Sequence, residues 1–208
     1  MKNTKDSSPS IEQSILRSIQ GAGRGSVLVP NDFLGLASRE AVDVVLHRLS
    51  KRGVIRRLAR GLYDYPRVHP ALGFLLPSAE AIAQALAGRD RTRLQPAGAY
   101  AANALGLTEQ VPAKAVFLTD GPSRTVKVGP MTIQLRRTTP RNMATAGRLS
   151  GLLIQALREL GEAHITTRRV EHLRRTLPLE KRRELLRDIT IAPAWMRPIF
   201  RQLAEEDE

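Results

Sequence analysis

The stretch that decides the N-terminal fold is residues 38–66, SREAVDVVLHRLSKRGVIRRLARGLYDYP. Ser38 is a favourable helix N-cap. The apolar residues after it recur at the helical period and share one face: Val42, Val45, Leu46 and Leu49. Gly53 is expected to end this helix, because glycine adopts the backbone angles of a helix C-terminus at little cost. Strand-like runs at 54–58 and 62–65 surround a short gap that contains glycine, which is typical of a β-hairpin.

Two shorter helical segments precede this stretch. Ser10 can cap a helix whose isoleucines share one face, and the glycines of residues 21–25 end it. A short extended piece at 27–29 comes next, and a brief helix is expected at 31–36. Three helices followed by a basic hairpin is the element order of a winged helix-turn-helix. In that arrangement the last helix enters the major groove of DNA and the hairpin, the wing, lies along the phosphate backbone.

The outer face of the long helix and the wing provide the candidate DNA contacts. They are Ser38, Arg39, Asp43, His47 and Arg48 on the helix, and Arg56, Arg57 and Arg60 on the wing. Arg39 lies near the N-terminal end and could pair bidentately with guanine, while Asp43 or Glu40 could accept a hydrogen bond from cytosine. Three arginines within five residues suit contact with phosphates. The pattern therefore predicts double-stranded DNA as a partner.

Other interpretations of these elements remain open at this stage. An arginine-rich hairpin is often a solvated edge that is protected against strand addition. A minority of winged helices bind proteins. A reader of RNA would be expected to offer aromatic stacking platforms, and the two candidates, Tyr63 and Tyr65, alternate with other residues in a way that favours packing under the wing.

Composition agrees with a polyanion partner. Of the 208 residues, 33 are Lys or Arg and 20 are Asp or Glu, so the formal net charge is +13. Residues 145–208 are almost balanced, with 12 basic and 10 acidic side chains, which favours a solvated helical scaffold there. The lack of cysteine excludes disulfides and thiolate metal sites. No apolar run approaches the roughly 20 residues of a membrane span and no signal peptide is evident, so a cytoplasmic protein without a membrane partner is expected.

The sequence pattern after residue 76 indicates a second domain that contains both helices and strands. The expected fold class is therefore α+β: an N-terminal winged helix-turn-helix and a C-terminal α+β domain that ends in a helical bundle. The predicted organisation is a disordered tail at 1–9, a winged helix-turn-helix at 10–66, a linker at 67–76, and a C-terminal domain at 77–208 whose α+β part is 77–139 and whose helical part is 148–208. In the α+β part, helices are expected at 78–87 and from Pro96, followed by three strands at 115–119, 125–128 and 132–136. In the helical part, helices are expected near 148–160, 167–176, 179–189 and 193–204.

Four further motifs accompany the wing stretch: QPAGAYAANALGL at 95–107, QVPAK at 110–114, FLTDG at 117–121 and APAWM at 192–196. Together with residues 38–66 they resemble the AbiEi family of antitoxins, which belong to abortive-infection (type IV) toxin–antitoxin systems. The resemblance covers nearly the whole chain after residue 9. The motif at 95–107 is the most specific part of the resemblance. The wing stretch is less specific, because many winged helices carry an Arg-Gly-Tyr-like turn.

The resemblance implies a bipartite antitoxin in phage defence. Its winged helix would repress its own operon by binding operator repeats, and its C-terminal domain would counter a nucleotidyltransferase-like toxin encoded beside it. Direct contact with that toxin is left open, and no antitoxic residues are assigned. The DNA contacts that carry over are Ser38, Arg39, Arg48, Arg57 and Arg60. The alternative is a winged-helix transcription regulator without a toxin, whose second domain binds a ligand or a protein.

Signals for an enzyme are thin, so no catalytic residue, metal or cofactor is expected. A metal-dependent nuclease would need a second carboxylate to accompany Asp120, which follows a predicted strand. The corresponding position of the later strand is Gln134, so Asp120 is better interpreted as a turn residue. The four histidines are scattered, and the glycines of residues 21–25 do not follow a strand as a dinucleotide-binding loop requires.

Overall fold

The computed structural model describes residues 9–88 and 92–206. The chain divides into two compact units, Met1–Asp90 and Arg91–Glu208. Both contain helices and strands, and helices end the second unit, so the predicted α+β fold class is confirmed. In the described part of the chain, no helix is both long and apolar enough to cross a membrane. The predicted tail at residues 1–9 lies, except for residue 9, outside the described residues.

The first unit has the element order predicted for a winged helix. Its elements are α1 (Ile11–Ala22), β1 (Val27–Leu28), a 3-10 helix (Pro30–Phe33), α2 (Arg39–Lys51), β2 (Arg56–Ala59) and β3 (Leu62–Asp64). The strands form an antiparallel sheet in the order β1-β3-β2. The brief second helix is thus a single 3-10 turn. Ile15 and Ile19 of α1 and Leu46 and Leu49 of α2 are fully buried in one core with Tyr63 of the sheet.

Side-chain caps set the starts of both long helices, as predicted. Ser10 Oγ accepts a hydrogen bond from Gln13 N at 3.2 Å, and Gln13 Oε1 accepts one from Ser10 N at 3.1 Å, which is a complete capping box. Ser38 Oγ accepts a hydrogen bond from Ala41 N at 3.4 Å at the start of α2. Gly53 follows the end of α2 with φ +72°, a conformation that glycine adopts without strain.

The segment that follows the wing differs from the expected linker. It contains a second antiparallel hairpin, β4 (Val68–His69) and β5 (Gly73–Phe74). The next helix, α3 (Ala79–Ala87), contacts β1 and belongs to the first unit. Ile82 and Ala83, on the apolar face of this helix, are fully buried. The first compact unit thus includes both this hairpin and α3.

The second unit begins with a mixed sheet. Its strands are β6 (Leu94–Ala97), β7 (Lys114–Thr119), β8 (Arg124–Val128) and β9 (Met131–Arg137), in the order β6-β7-β9-β8. The β7–β9 pair is parallel and the other two pairs are antiparallel. The prediction that a helix opens at Pro96 is wrong: Pro96 lies in the edge strand β6, where a missing N–H is tolerated, and α4 (Gly98–Ala104) begins two residues later.

The chain ends in helices. They are α5 (Pro140–Met143), α6 (Leu149–Leu160), α7 (Thr167–Thr176), α8 (Leu179–Glu184) and α9 (Arg197–Ala204), with 3-10 turns at Glu162–His164, Leu185–Asp188 and Ala194–Met196. Of these helices, α6, α7 and α9 contribute to one core and α5 packs against β7. The helix predicted at 179–189 is therefore split between α8 and a 3-10 turn. The core of this unit includes Leu153, Leu157, Leu173 and Phe200, all nearly inaccessible to solvent.

Candidate nucleic-acid interface

The outer face of α2 carries the predicted helix contacts, and all of them are exposed. Because Leu46 and Leu49 turn inward, Asp43, His47 and Arg48 lie on the solvent side of the helix. Val44 is exposed on the same face. This surface combines cationic, anionic and apolar side chains, which suits recognition of base edges better than general attraction to phosphate.

Arg39 is held in place at the N-terminal end of α2. Its Nε donates a hydrogen bond to Asp43 Oδ2 at 3.0 Å, and its Nη1 donates one to Asn31 Oδ1 at 2.9 Å. About half of each charged side chain remains exposed. The structure thus brings Arg39 and Asp43 together as a pre-oriented pair. Two of the five N–H donors of Arg39 are used in these contacts, so donors remain for a contact with guanine.

Glu40 adds a fixed negative charge beside this pair. Its pKa lies below the ordinary value, chiefly because its carboxylate accepts a hydrogen bond from its own backbone N–H, with further contributions from the Ser38 hydroxyl and the charge of Arg39. Glu40 is therefore ionised at neutral pH. A carboxylate in the first turn is also favoured by the helix dipole.

The three wing arginines separate into two classes. Arg57 and Arg60 are exposed. Arg56 donates from Nε and Nη2 to the two carboxylate oxygens of Asp64 at 3.0 and 2.6 Å, and from Nη2 to the Leu75 carbonyl at 2.8 Å. The side chain of Asp64 is only 1% exposed and that of Arg56 is 30% exposed, so Arg56 is committed to a buried carboxylate. We therefore leave Arg56 out of the interface, although the sequence grouped it with Arg57 and Arg60.

The two wing tyrosines lie where the sequence placed them. Tyr63 is buried in the core, and Tyr65 packs against that core with part of its ring exposed. The guanidinium of Arg24 lies 4.8 Å from the ring centroid of Tyr65 and donates a hydrogen bond to the Pro66 carbonyl at 3.1 Å. Both aromatic rings thus support the wing.

Sequence reasoning missed the hairpin β4–β5. Val68 and Phe74 lie on either side of the turn, which contains Pro70 and Gly73. Two apolar residues separated by a proline and a glycine were the signal that could have indicated this hairpin. Arg67 at the base of the hairpin is exposed and donates from Nε to the Arg24 carbonyl at 2.9 Å. It is a further cation in the first unit.

Asp120, the one nuclease candidate, lies at the end of β7 in the second unit. Its carboxylate accepts hydrogen bonds from the backbone N and from Nε of Arg93, both at 2.9 Å. The hydrogen bond from the Arg93 side chain is the main reason that the pKa of Asp120 lies below its ordinary value. Gln134 pairs with Val116 in the parallel register of β7 and β9. Among the described residues, no group of three or more His, Asp or Glu side chains could hold a metal ion.

Comparison with known proteins gives a family and a distant structural likeness. No curated protein sequence matches the chain significantly. Among solved structures, the crystal structure of RV2827C protein from Mycobacterium tuberculosis is similar to it, with a TM-score of 0.44 and 13% sequence identity, covering 96% of this chain and 83% of that one. A family model described as a family of unknown function, DUF6088, matches residues 14–185. Since that range is most of the chain, the protein belongs to the DUF6088 family.

Proposed function

We propose that the first unit binds double-stranded DNA in a sequence-specific manner. The observation that carries this proposal is a winged-helix arrangement whose α2 presents an exposed, mixed-charge face and whose wing presents Arg57 and Arg60 to solvent. Helices of this kind place their N-terminal residues at base edges in the major groove. Exposed arginines on a hairpin are free to contact phosphates.

The residues divide by role in this proposal. Arg39 and Asp43 contact bases, because they form one pre-oriented donor and acceptor pair at the N-terminal end of α2. Arg48, Arg57 and Arg60 contact phosphates. Ser38 acts through its cap, which fixes where α2 begins, and His47 lies on the same exposed face as Arg48.

We further propose that the protein is a cytoplasmic antitoxin that represses its own operon and counters a nucleotidyltransferase-like toxin, without catalysis of its own. The support is the set of motifs that resemble AbiEi antitoxins. In the second unit, the motif at 95–107 forms β6 and α4, and Ala101 and Ala102 within it are fully buried. That motif therefore supports a similar framework, while any toxin-facing residues would lie on the exposed surface.

The DNA-binding proposal is tested by titrating the full chain with its upstream region at several salt concentrations. Removing two phosphate contacts in the variant Arg57→Ala/Arg60→Ala should reduce the slope of log K against log salt by about 2. Arg17→Ala, an exposed arginine on α1, is the matched control and should leave that slope unchanged. An unchanged slope and affinity in the wing variant would contradict the proposed DNA face.

The base-contact role of α2 needs a different measurement. Arg39→Ala should weaken binding and also relax the preferred base at one position, by about 1–3 kcal/mol of discrimination. Selection of bound sequences from a randomised duplex pool measures that preference. If Arg39→Ala lowers affinity equally for all sequences, Arg39 contacts phosphate and its assignment to bases is wrong.

The antitoxin proposal is tested by co-expression with the neighbouring toxin gene. The wild-type chain should restore growth, and Arg57→Ala/Arg60→Ala should restore it as well when both genes are driven by an unrelated promoter. Rescue by a variant that has lost operator binding would separate neutralisation from repression. A chain that binds its operator but never rescues growth would contradict the antitoxin proposal.

The second candidate is a transcription regulator without a toxin, whose second unit binds a ligand. A concave surface of about 950 Å³ in that unit favours this alternative. In that case a small molecule bound to the second unit would change the affinity of the protein for its operator, and no toxin would be involved.

A further inference from the structure

A concave groove in the second unit lies between α7 and the loop that follows α4. Its volume is about 950 Å³, within the approximate range of 300–1,000 Å³ that is typical of small-molecule sites. The loop contributes residues 106–110 to the wall. The helix contributes Arg168, Arg169, His172 and Arg175.

The helix side of this groove is a stripe of basic residues. Arg168, His172 and Arg175 are spaced i, i+4 and i+7, so they lie on one face of α7. Arg168 and Arg175 are exposed, and neither takes part in an ion pair with another described residue. Arg169 donates a hydrogen bond to the His164 carbonyl. Glu109 is the one acidic residue in the described lining, so three guanidinium groups face a single carboxylate.

The loop side of the groove is held in a defined shape. Asn103 Nδ2 donates hydrogen bonds to the carbonyls of Thr108 and Gln110, both at 3.2 Å. Gly106 has φ +65°, and a Cβ at this position would lie 2.7 Å from His172 Nε2. The loop therefore approaches α7 as closely as a glycine permits. A preformed wall of this kind reduces the entropy that a ligand loses on binding.

A second cavity adjoins the groove. Its volume is about 790 Å³, and it shares Thr108, Gln110 and Arg169 with the groove. Unlike the groove, it has several apolar walls and a few polar groups among them: Ala99, Pro112, Val116 and Leu160, with Lys114, Arg136 and Glu159. Apolar walls with a few placed polar groups are the usual lining of a small-molecule site.

We propose that the groove and the adjoining cavity together bind a nucleoside polyphosphate. The phosphates lie against Arg168, Arg169 and Arg175, and the nucleoside lies between Ala99 and Leu160 in the adjoining cavity. Three guanidinium groups match the several negative charges of a polyphosphate, and their forked donors suit its oxygens. A single-stranded nucleic acid fits less well, because its successive bases stack on several large aromatic rings and no Phe, Tyr or Trp lines either cavity in the described residues. A single nucleoside needs only the apolar walls of one cavity. The inference holds whether or not the first unit binds DNA.

The test is calorimetric titration of the full chain with four probes: ATP, GTP, CTP and UTP. Inorganic tripolyphosphate and free adenosine or guanosine distinguish the two halves of the site. At least one triphosphate should bind, and tripolyphosphate and the free nucleoside should each bind more weakly than it. Failure of all four triphosphates to bind at millimolar concentration would overturn the proposal. Tripolyphosphate binding as tightly as every triphosphate would overturn the nucleoside part.

Variants assign the binding to the groove. Arg168→Gln/Arg175→Gln should lower the affinity for the triphosphate about 100-fold, since two charge-assisted contacts are lost. Arg201→Gln, an exposed arginine on α9, is the matched control and should leave the affinity unchanged. Ala99→Leu should weaken the triphosphate and leave tripolyphosphate unaffected. Circular dichroism melting of each variant verifies that it is folded.

Two outcomes would count against the site in a folded protein. Wild-type affinity in Arg168→Gln/Arg175→Gln would place the nucleotide elsewhere. A single-stranded RNA oligonucleotide that binds through these two arginines, while no triphosphate does, would assign the groove to nucleic acid and overturn the proposal.

Discussion

The wing of the first unit and the α8 region of the second each contain consecutive arginines with opposite roles. In the wing, Arg56 holds the buried Asp64, whereas Arg57 is exposed. In α8, Arg182 is 1% exposed, whereas Arg183 is exposed and pairs with Glu206 at the surface. Residue type and spacing are the same in each pair of neighbours. What separates a structural arginine from an exposed one is the presence of buried acceptors within reach of its guanidinium.

The two structural arginines differ in their acceptors. Arg56 forms a two-pronged ion pair with a carboxylate across two paired strands. Arg182 donates to the backbone carbonyls of Leu177, Leu203 and Glu205, which lie at the C-terminal ends of α7 and α9. A positive charge there satisfies carbonyls that have no partner within their own helix and complements both helix dipoles. Arg182 thus joins two helix ends at one point.

The largest loss of stability is expected for Arg182→Met. This change keeps much of the apolar length of the side chain but leaves up to three carbonyls without their donor, at about 1–3 kcal/mol for each buried group. We expect the free energy of unfolding to fall by about 3 kcal/mol or more. Urea denaturation followed by circular dichroism measures it. Arg183→Met, which removes an exposed pair, should cost less than about 1 kcal/mol; equal losses in the two variants would refute this contrast.

The wing offers the same contrast with a smaller effect. Arg56→Ala leaves the buried Asp64 carboxylate without its ion-pair partner, and removing one partner of a buried pair typically costs about 3–5 kcal/mol. Because almost a third of the Arg56 side chain is exposed, solvent compensates in part, and we expect about 2 kcal/mol.

Arg57→Ala is the matched control for Arg56→Ala. It should leave the unfolding free energy within about 0.5 kcal/mol of wild type while it weakens DNA binding. Thermal melting and operator titration of both variants test the contrast. If Arg57→Ala is as destabilising as Arg56→Ala, the division of the wing into structural and exposed arginines is incorrect.

Elements with strong local signals were predictable from sequence. The caps at Ser10 and Ser38 follow from hydrogen-bonding chemistry within a few residues. The helix at Thr167–Thr176 follows from the spacing of the apolar residues on its buried face, Val170 and Leu173. Features that depend on distant partners were not. Arg56 was assigned to DNA because nothing local indicates that Leu75, nineteen residues on, would accept its hydrogen bond. The basic stripe on α7 was not predicted either. Acidic residues nearly balance the net charge of residues 145–208, but Glu109 is the one acidic residue in the described lining of the groove.

A small effect is also expected for an exposed pair of the same chemistry, Arg93 and Asp120. Their side chains lie 2.9 Å apart, but that of Asp120 is 36% exposed, compared with 1% for Asp64. Arg93→Ala should raise the pKa of Asp120 towards its ordinary value, because the side-chain hydrogen bond is the main cause of the present lowering. The shift should be partial, since the backbone N of residue 93 still donates to Oδ1. Titration of the Asp120 carboxyl by NMR measures it.

The pH dependence of Arg93→Ala follows from the direction of that shift. A carboxyl whose pKa is lowered on folding adds stability above its unfolded pKa, and this stability disappears as the pH falls through the folded pKa. Wild type and Arg93→Ala should therefore differ at neutral pH by less than about 1 kcal/mol, because the pair is exposed, and should converge in acid. A loss as large as that of Arg56→Ala would mean that pairing, and not burial of the acceptor, decides which arginines hold this fold together.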